Sequence, residues 1–213
     1  MNAQTLLVLS LLDVIGIPVC ALLFIWRWQF DARSVWILFP VWLVASFLLH
    51  RDTPKTLGWR ADNLWQATKW ALAAFVIFAA ALIATGLILG QPRHLPPNLQ
   101  SLNRLWTYFA FCLLQQVAIN SLLNNRLLWL FHREWLAALV TGVIFAACHW
   151  PNPVLVPLTL IGGTAMAWLF ARHRNVLPLA VMQAVLGSIA WWSFPVAWHH
   201  NLRVGPAYSL PWK

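Results

Sequence analysis

The sequence predicts an all-α integral membrane protein, a polytopic bundle of about seven transmembrane helices. Three observations carry that reading. The 213 residues are 61% hydrophobic and only 9% charged, whereas a soluble domain carries roughly a quarter charged residues. Mean hydropathy is +0.69, and several apolar runs approach the about 20 residues a helix needs to cross a hydrocarbon core. Runs such as "WALAAFVIFAAALIATGLILG" do not alternate, which argues against a closed barrel, the other spanning solution.

Apolar runs set against their breakers place helices over 5–29, 35–49, 66–89, 104–131, 135–150, 154–171 and 176–194. The first, "TLLVLSLLDVIGIPVCALLFIW", lacks a basic leader and outruns a signal core, so it reads as a retained helix. "DARS" ends it. The 35–49 run is short for a full span, and "HRDTPKTLGWRAD" follows as a polar loop. "QPRHLPPNLQSLNR" separates 66–89 from 104–131, a segment long enough to tilt or to emerge from the bilayer. "HRE", "PNP" and "RHRN" divide the last three helices, of which 135–150 is again short. No repeat interrupts the pattern, and residues 1–213 read as a single transmembrane domain.

The formal charge is +9. Its basic residues stand singly between apolar runs, the pattern of a protein facing anionic headgroups rather than nucleic acid. Lys and Arg fall eight to six on alternate sides, slightly favouring a cytoplasmic N-terminus. Trp26, Trp59, Trp106, Trp135 and Trp150, among sixteen tryptophans, sit near predicted helix ends and read as an interfacial belt. A stacking surface for a pigment or isoprenoid is the alternative. Cys20, Cys112 and Cys148 lie in apolar runs, an odd, buried set that forms no disulfide framework.

Polar groups inside these runs need partners. Gln116 and Asn120 are four residues apart on one helix face, and Gln115 is about 100° round from Gln116. Cys112 and Asn124 extend the stripe loosely. Gln183 stands on the last helix, and His149 ends the fifth. Interhelical bonding explains any one amide. Several concentrated in the C-terminal half point to a shared interior cavity. Cys148 and His149 are adjacent and diverge on a helix, so they do not pair. Cys112, Glu134 and Asp13 are further candidates for that cavity, and His199 with His200 reads as a solvated tail.

The order Gln115-Gln116-x-x-x-Asn120, Phe145-x-x-x-His149, Gln183-x-x-x-Gly187 resembles the CPBP family of intramembrane proteases. That group includes the Rce1-type CAAX prenyl endopeptidases and the Abi proteins. Its pattern is Glu-Glu-x-x-x-Arg, Phe-x-x-x-His, His-x-x-x-Asn. The Pro-Asn after His149 and the Gly162-Gly163 helix share in the likeness, which covers about residues 105 to 190. The resemblance implies a CPBP-like core, with His149, Gln115, Gln116, Asn120 and Gln183 at the catalytic positions. Only Phe145 and His149 match as residues. Glutamine neither accepts nor returns a proton near neutral pH. Amide oxygens are poor zinc ligands, so His149 is the only motif candidate for the family's metal and no cofactor is expected.

The expectation is therefore a non-proteolytic protein of a bacterial cytoplasmic (inner) membrane. It would bind a transmembrane helix or a lipid or isoprenoid in an intramembrane cavity. Its partners would be membrane lipids and a transmembrane, prenylated or lipidated protein. The alternatives are an active membrane enzyme, with residual endopeptidase or His149-dependent lipid chemistry, and an accessory subunit of a larger membrane complex.

Overall fold

A computed structural model describes residues 2–89 and 99–211. Among them every regular element is helical and no strand occurs. The order is α1 (Ala3–Asp31), α2 (Arg33–His50), a short α3 (Pro54–Leu57), α4 (Leu64–Ile88), α5 (residues 99–131), α6 (Glu134–Ala147), α7 (Leu155–His173), α8 (Val176–Ser193) and a short α9 (Val196–His199). The seven long rods stand within a few residues of the apolar runs, except that α5 begins earlier, by Leu99. Residues 91–98 of the loop expected before it lie outside the described residues.

Five rods, α1, α2, α4, α7 and α8, are long and apolar enough to cross a membrane. The expected count of seven is not reached by that measure. At about 1.5 Å per residue, the 14 residues of α6 rise only about 21 Å against a hydrocarbon core of about 30 Å. In α5 the amide residues interrupt the apolar run.

Two apolar clusters flank α5. One joins α4, α7 and α8 through Ala71, Phe170, Leu179 and Met182. The other joins α1, α2, α5 and α6 through Ile17, Leu43, Leu122 and Ala137. The α6–α7 contact brings backbones together: a Cβ at Gly142 would lie 2.0 Å from Thr164 Oγ1 and 2.8 Å from the Leu160 carbonyl. In a bilayer, where lipid tails compete equally for apolar side chains, such close approach is what drives association.

The α2–α4 connection is stitched into the bundle end. Thr53 and Thr56 form a capping box on α3. Gly58 ends it at φ 83°, and a Cβ there would also meet Phe170 Cε2 at 2.6 Å. The carbonyls that α3 leaves open find donors inside the protein. Asn125 Nδ2 donates to Thr56 O at 2.8 Å, the Ser121 hydroxyl donates to Leu57 O, and Val176 N donates to Gly58 O at 3.0 Å. Asn175 Nδ2 reaches Arg60 O at 2.7 Å.

A charged cluster lies between α1, α2 and α5. Asp13 accepts from Trp42 Nε1 at 2.9 Å, Ser46 Oγ at 2.5 Å and Arg126 Nε at 3.1 Å. Arg126 Nη2 also donates to Ser46 Oγ at 3.0 Å and Asp52 at 2.7 Å. Asp13 and Arg126 are both 4% exposed. Asp13, the buried aspartate of the first span, is thus an interlock between helices rather than a member of the C-terminal polar set.

The described residues after α9 fold back on the bundle. Asn152, fully buried, donates to His199 O and Arg203 O at 2.9 Å each, and accepts from Val154 N and Leu155 N at 3.0 Å each. It caps α7 and pins the C-terminal turn in one residue. Contrary to the solvated tail expected, His199 is fully buried, and His200 stacks on Tyr208 with ring centroids 4.2 Å apart.

Arg126→Met is expected to lower the unfolding free energy in detergent by about 3–5 kcal/mol, since it strands a buried carboxylate. Adding Asp13→Leu recovers part of that loss. Denaturant titration of both variants checks it; a parental midpoint for Arg126→Met would show the cluster to be dispensable.

Candidate functional site

The site is built on α5, where the sequence spaces amides four residues apart. Residues Val117–Asn124 form a π-helical stretch. An i, i+4 ladder on an α-helix drifts by about 40° per step. The wider π turn rotates less per residue and offsets that drift. Gln116, Asn120 and Asn124 consequently hydrogen-bond one to the next: Asn124 Nδ2 to Asn120 Oδ1 at 3.4 Å, and Asn120 Nδ2 to Gln116 Oε1 at 2.5 Å. π-helical insertions are frequent at functional sites.

From Gln116 the chain crosses to α8. Gln116 Nε2 donates to Gln183 Oε1 at 2.7 Å, and Gln183 Nε2 donates back to Gln115 Oε1 at 2.6 Å. Gln116 Nε2 also contacts Met166 Sδ on α7 at 3.3 Å. At the other end Asn124 Nδ2 donates to the Ala167 carbonyl at 2.8 Å, while the Thr141 hydroxyl of α6 is shared between Asn124 Oδ1 at 3.3 Å and Ala137 O at 2.8 Å. A carbonyl only accepts, so Ala167 fixes which end of the Asn124 amide faces it. Each later amide must then turn the same way. The result is one head-to-tail string through four helices.

Burial is graded along this string. Asn124 and Asn120 are fully buried and Gln116 is 1% exposed, whereas Gln115 and Gln183 are half-buried. The shared chamber expected from the sequence is occupied by the amides themselves. Four of the expected site residues, Gln115, Gln116, Asn120 and Gln183, are brought together.

His149 stands apart. It lies just past the end of α6, where its Nδ1 meets the Phe145 carbonyl at 2.7 Å and its ring packs edge-on against Phe145 at 4.6 Å. That bond makes Nδ1 the protonated nitrogen and leaves Nε2 as the acceptor. Among the described residues no hydrogen bond joins His149 to the amides. Glu134 pairs with Arg172 at 3.1 Å on the rim, away from the string. Cys112 is fully buried, one helical turn after Tyr108.

Gly187 shows what Tyr108 does. A Cβ at Gly187 would lie 2.1 Å from the Tyr108 hydroxyl oxygen. The phenol fills the space that the asparagine of the third motif would claim. Reading motif positions alone misses Tyr108, and also Thr141, which no amide spacing marks.

A zinc of the family type does not fit these residues. His149 is the one imidazole at the motif positions, and the Gln115, Gln116 and Gln183 oxygens already accept hydrogen bonds. Among the described residues no group of three His, Cys, Asp or Glu comes together that could hold a metal ion.

A family model described as Type II CAAX prenyl endopeptidase Rce1-like matches residues 7–189. The chain belongs to that Rce1-like family, and with its apolar helices it is an integral membrane protein. No curated protein and no solved structure matches it.

Gln116→Leu strands Gln183 Oε1 and Asn120 Nδ2 and is expected to cost about 2 kcal/mol or more. Gln115→Leu removes only the end link and is expected to cost less than about 1 kcal/mol, as single interhelical bonds in membranes do. Unfolding midpoints of the two variants check the ranking. Gly187→Ala is expected to destabilise by about 1–3 kcal/mol through overlap with Tyr108, and Tyr108→Ala to relieve it; the unfolding midpoints of the single and double variants check both.

Proposed function

We propose that this Rce1-like protein is a non-proteolytic member of its family. It would reside in a bacterial cytoplasmic membrane and bind a transmembrane helix, a lipidated protein or a lipid. The observation that carries the reading is the closed string of neutral amides at the catalytic positions.

Peptide hydrolysis needs a group that takes a proton from water and returns it to the leaving amine. Gln115, Gln116, Asn120 and Gln183 have no such proton to exchange, and their side chains satisfy one another. In place of a water-activating centre they join α5 to α8 and, through Asn124, to α6 and α7 as a polar rivet. A partner would meet the outer faces of these helices rather than the interior.

A second reading rests on His149. Its Nδ1 is held by the Phe145 carbonyl, the arrangement that orients an imidazole to present Nε2 as a base. In that reading His149 would serve lipid or isoprenoid chemistry alone, without a carboxylate partner.

The test is incubation of the purified chain in liposomes with a peptide bearing a prenylated C-terminus, read by mass spectrometry. Product equal to the protein-free control is expected for the parent, Gln116→Ala and His149→Ala alike. Cleavage abolished by Gln116→Ala overturns the proposal. Cleavage by the parent that is lost in His149→Ala and kept in Gln116→Ala also overturns it, and assigns a residual endopeptidase activity to His149.

A further inference from the structure

The outer face of the α6–α7 pair is concave. A groove of about 500 Å³ runs along it, floored by Ala138 and Ala165 and walled by Trp135, Leu139, Ile161 and Trp168. Small side chains leave the floor low because the two helices approach so closely at Gly142 and Gly163. The groove opens outward from the α6–α7 pair, and its walls are exposed and apolar.

One end is charged. The Arg172 guanidinium lies over the Trp168 ring at 4.5 Å and its Nε donates to Glu134 at 3.1 Å. These contacts leave the terminal nitrogens of a half-exposed arginine free for another acceptor. Arg133, exposed and next to Glu134, leaves this corner net positive. The other basic residues of this bundle end, including Arg51, Lys55 and Lys69, add to the field.

The dimensions select the occupant. From Ile161 to Arg172 α7 rises about 16 Å at 1.5 Å per residue. One leaflet supplies about half of a 30 Å hydrocarbon core. The groove with its terminal cation is therefore as deep as one lipid tail with its headgroup, and too short to seat a whole spanning helix. We infer that it holds one anionic phospholipid of the surrounding bilayer, an acyl chain between Trp135 and Trp168 and the phosphate against Arg172. This site does not depend on whether the protein cleaves peptides.

The experiment is native mass spectrometry of the full chain released from nanodiscs of equimolar phosphatidylcholine and phosphatidylglycerol. The parent is expected to retain one phosphatidylglycerol in preference. Arg172→Ala weakens that retention about fivefold, the factor for one basic residue at an anionic surface. Ala165→Leu raises the floor and removes retention of either lipid. Glu134→Gln frees Arg172 and increases retention, a gain that misfolding does not produce. Equal retention of the two lipids by the parent, or retention unchanged in both Arg172→Ala and Glu134→Gln, overturns the inference. So does a dimer mass that Ala165→Leu abolishes, which would assign the groove to a second copy.

Discussion

Hydrocarbon offers no hydrogen bonds, so every polar group this chain carries into the bilayer must find its partner within the protein. Much of the architecture follows from that one requirement. The amides of α5 and α8 answer it by bonding to each other, end to end. Asp13 and Arg126 answer it with opposite charge and two hydroxyl- or indole-bearing neighbours. The open carbonyls of α3 and the loop after it are met by Ser121, Asn125 and Asn175, and those of the C-terminal turn by Asn152. Each element that is not a plain apolar rod is tied down by a side chain with a donor to spare.

The two polar systems divide the labour of the fold. The buried charge is held between α1, the end of α2 and α5, where Asp13 and Asp52 both pair with Arg126. The string through α5, α6, α7 and α8 is neutral along its length. α5 belongs to both, since Arg126 follows Asn124 by two residues. Its π-helical stretch lies between the two systems and aligns the amides on one side while α1 and α2 engage the other.

The rods were legible in the sequence because apolar length and breakers are local properties. The amide cluster was legible because Gln116, Asn120 and Gln183 are out of place in apolar helices. What escaped depends on contacts between distant segments. Nothing near Asp13 announces Arg126, which is 113 residues away. Two adjacent histidines past the last span look like solvated surface, yet His199 is held inside by contacts that include Asn152 and Trp191. The sequence shows polar groups gathering but not whether they line a space or fill it; that turns on Asn124, Thr141 and the Ala167 carbonyl completing the string. Crossing number is the least legible, because α6 is apolar yet short and α5 is long yet polar.

The direction imposed by Ala167 makes the string's tolerance of charge lopsided. An acid at position 116 would ask only that Gln183 and Gln115, half-buried at the loose end, rotate their amides. A cation at position 120 would set its donors against Asn124 Nδ2, and that amide is held by a backbone carbonyl that will not yield. The neutralising cation is thus the harder one to seat, and an acid at position 116 without it is an unbalanced carboxylate in hydrocarbon. A single peptide oxygen thereby sets which sign of charge the string can take.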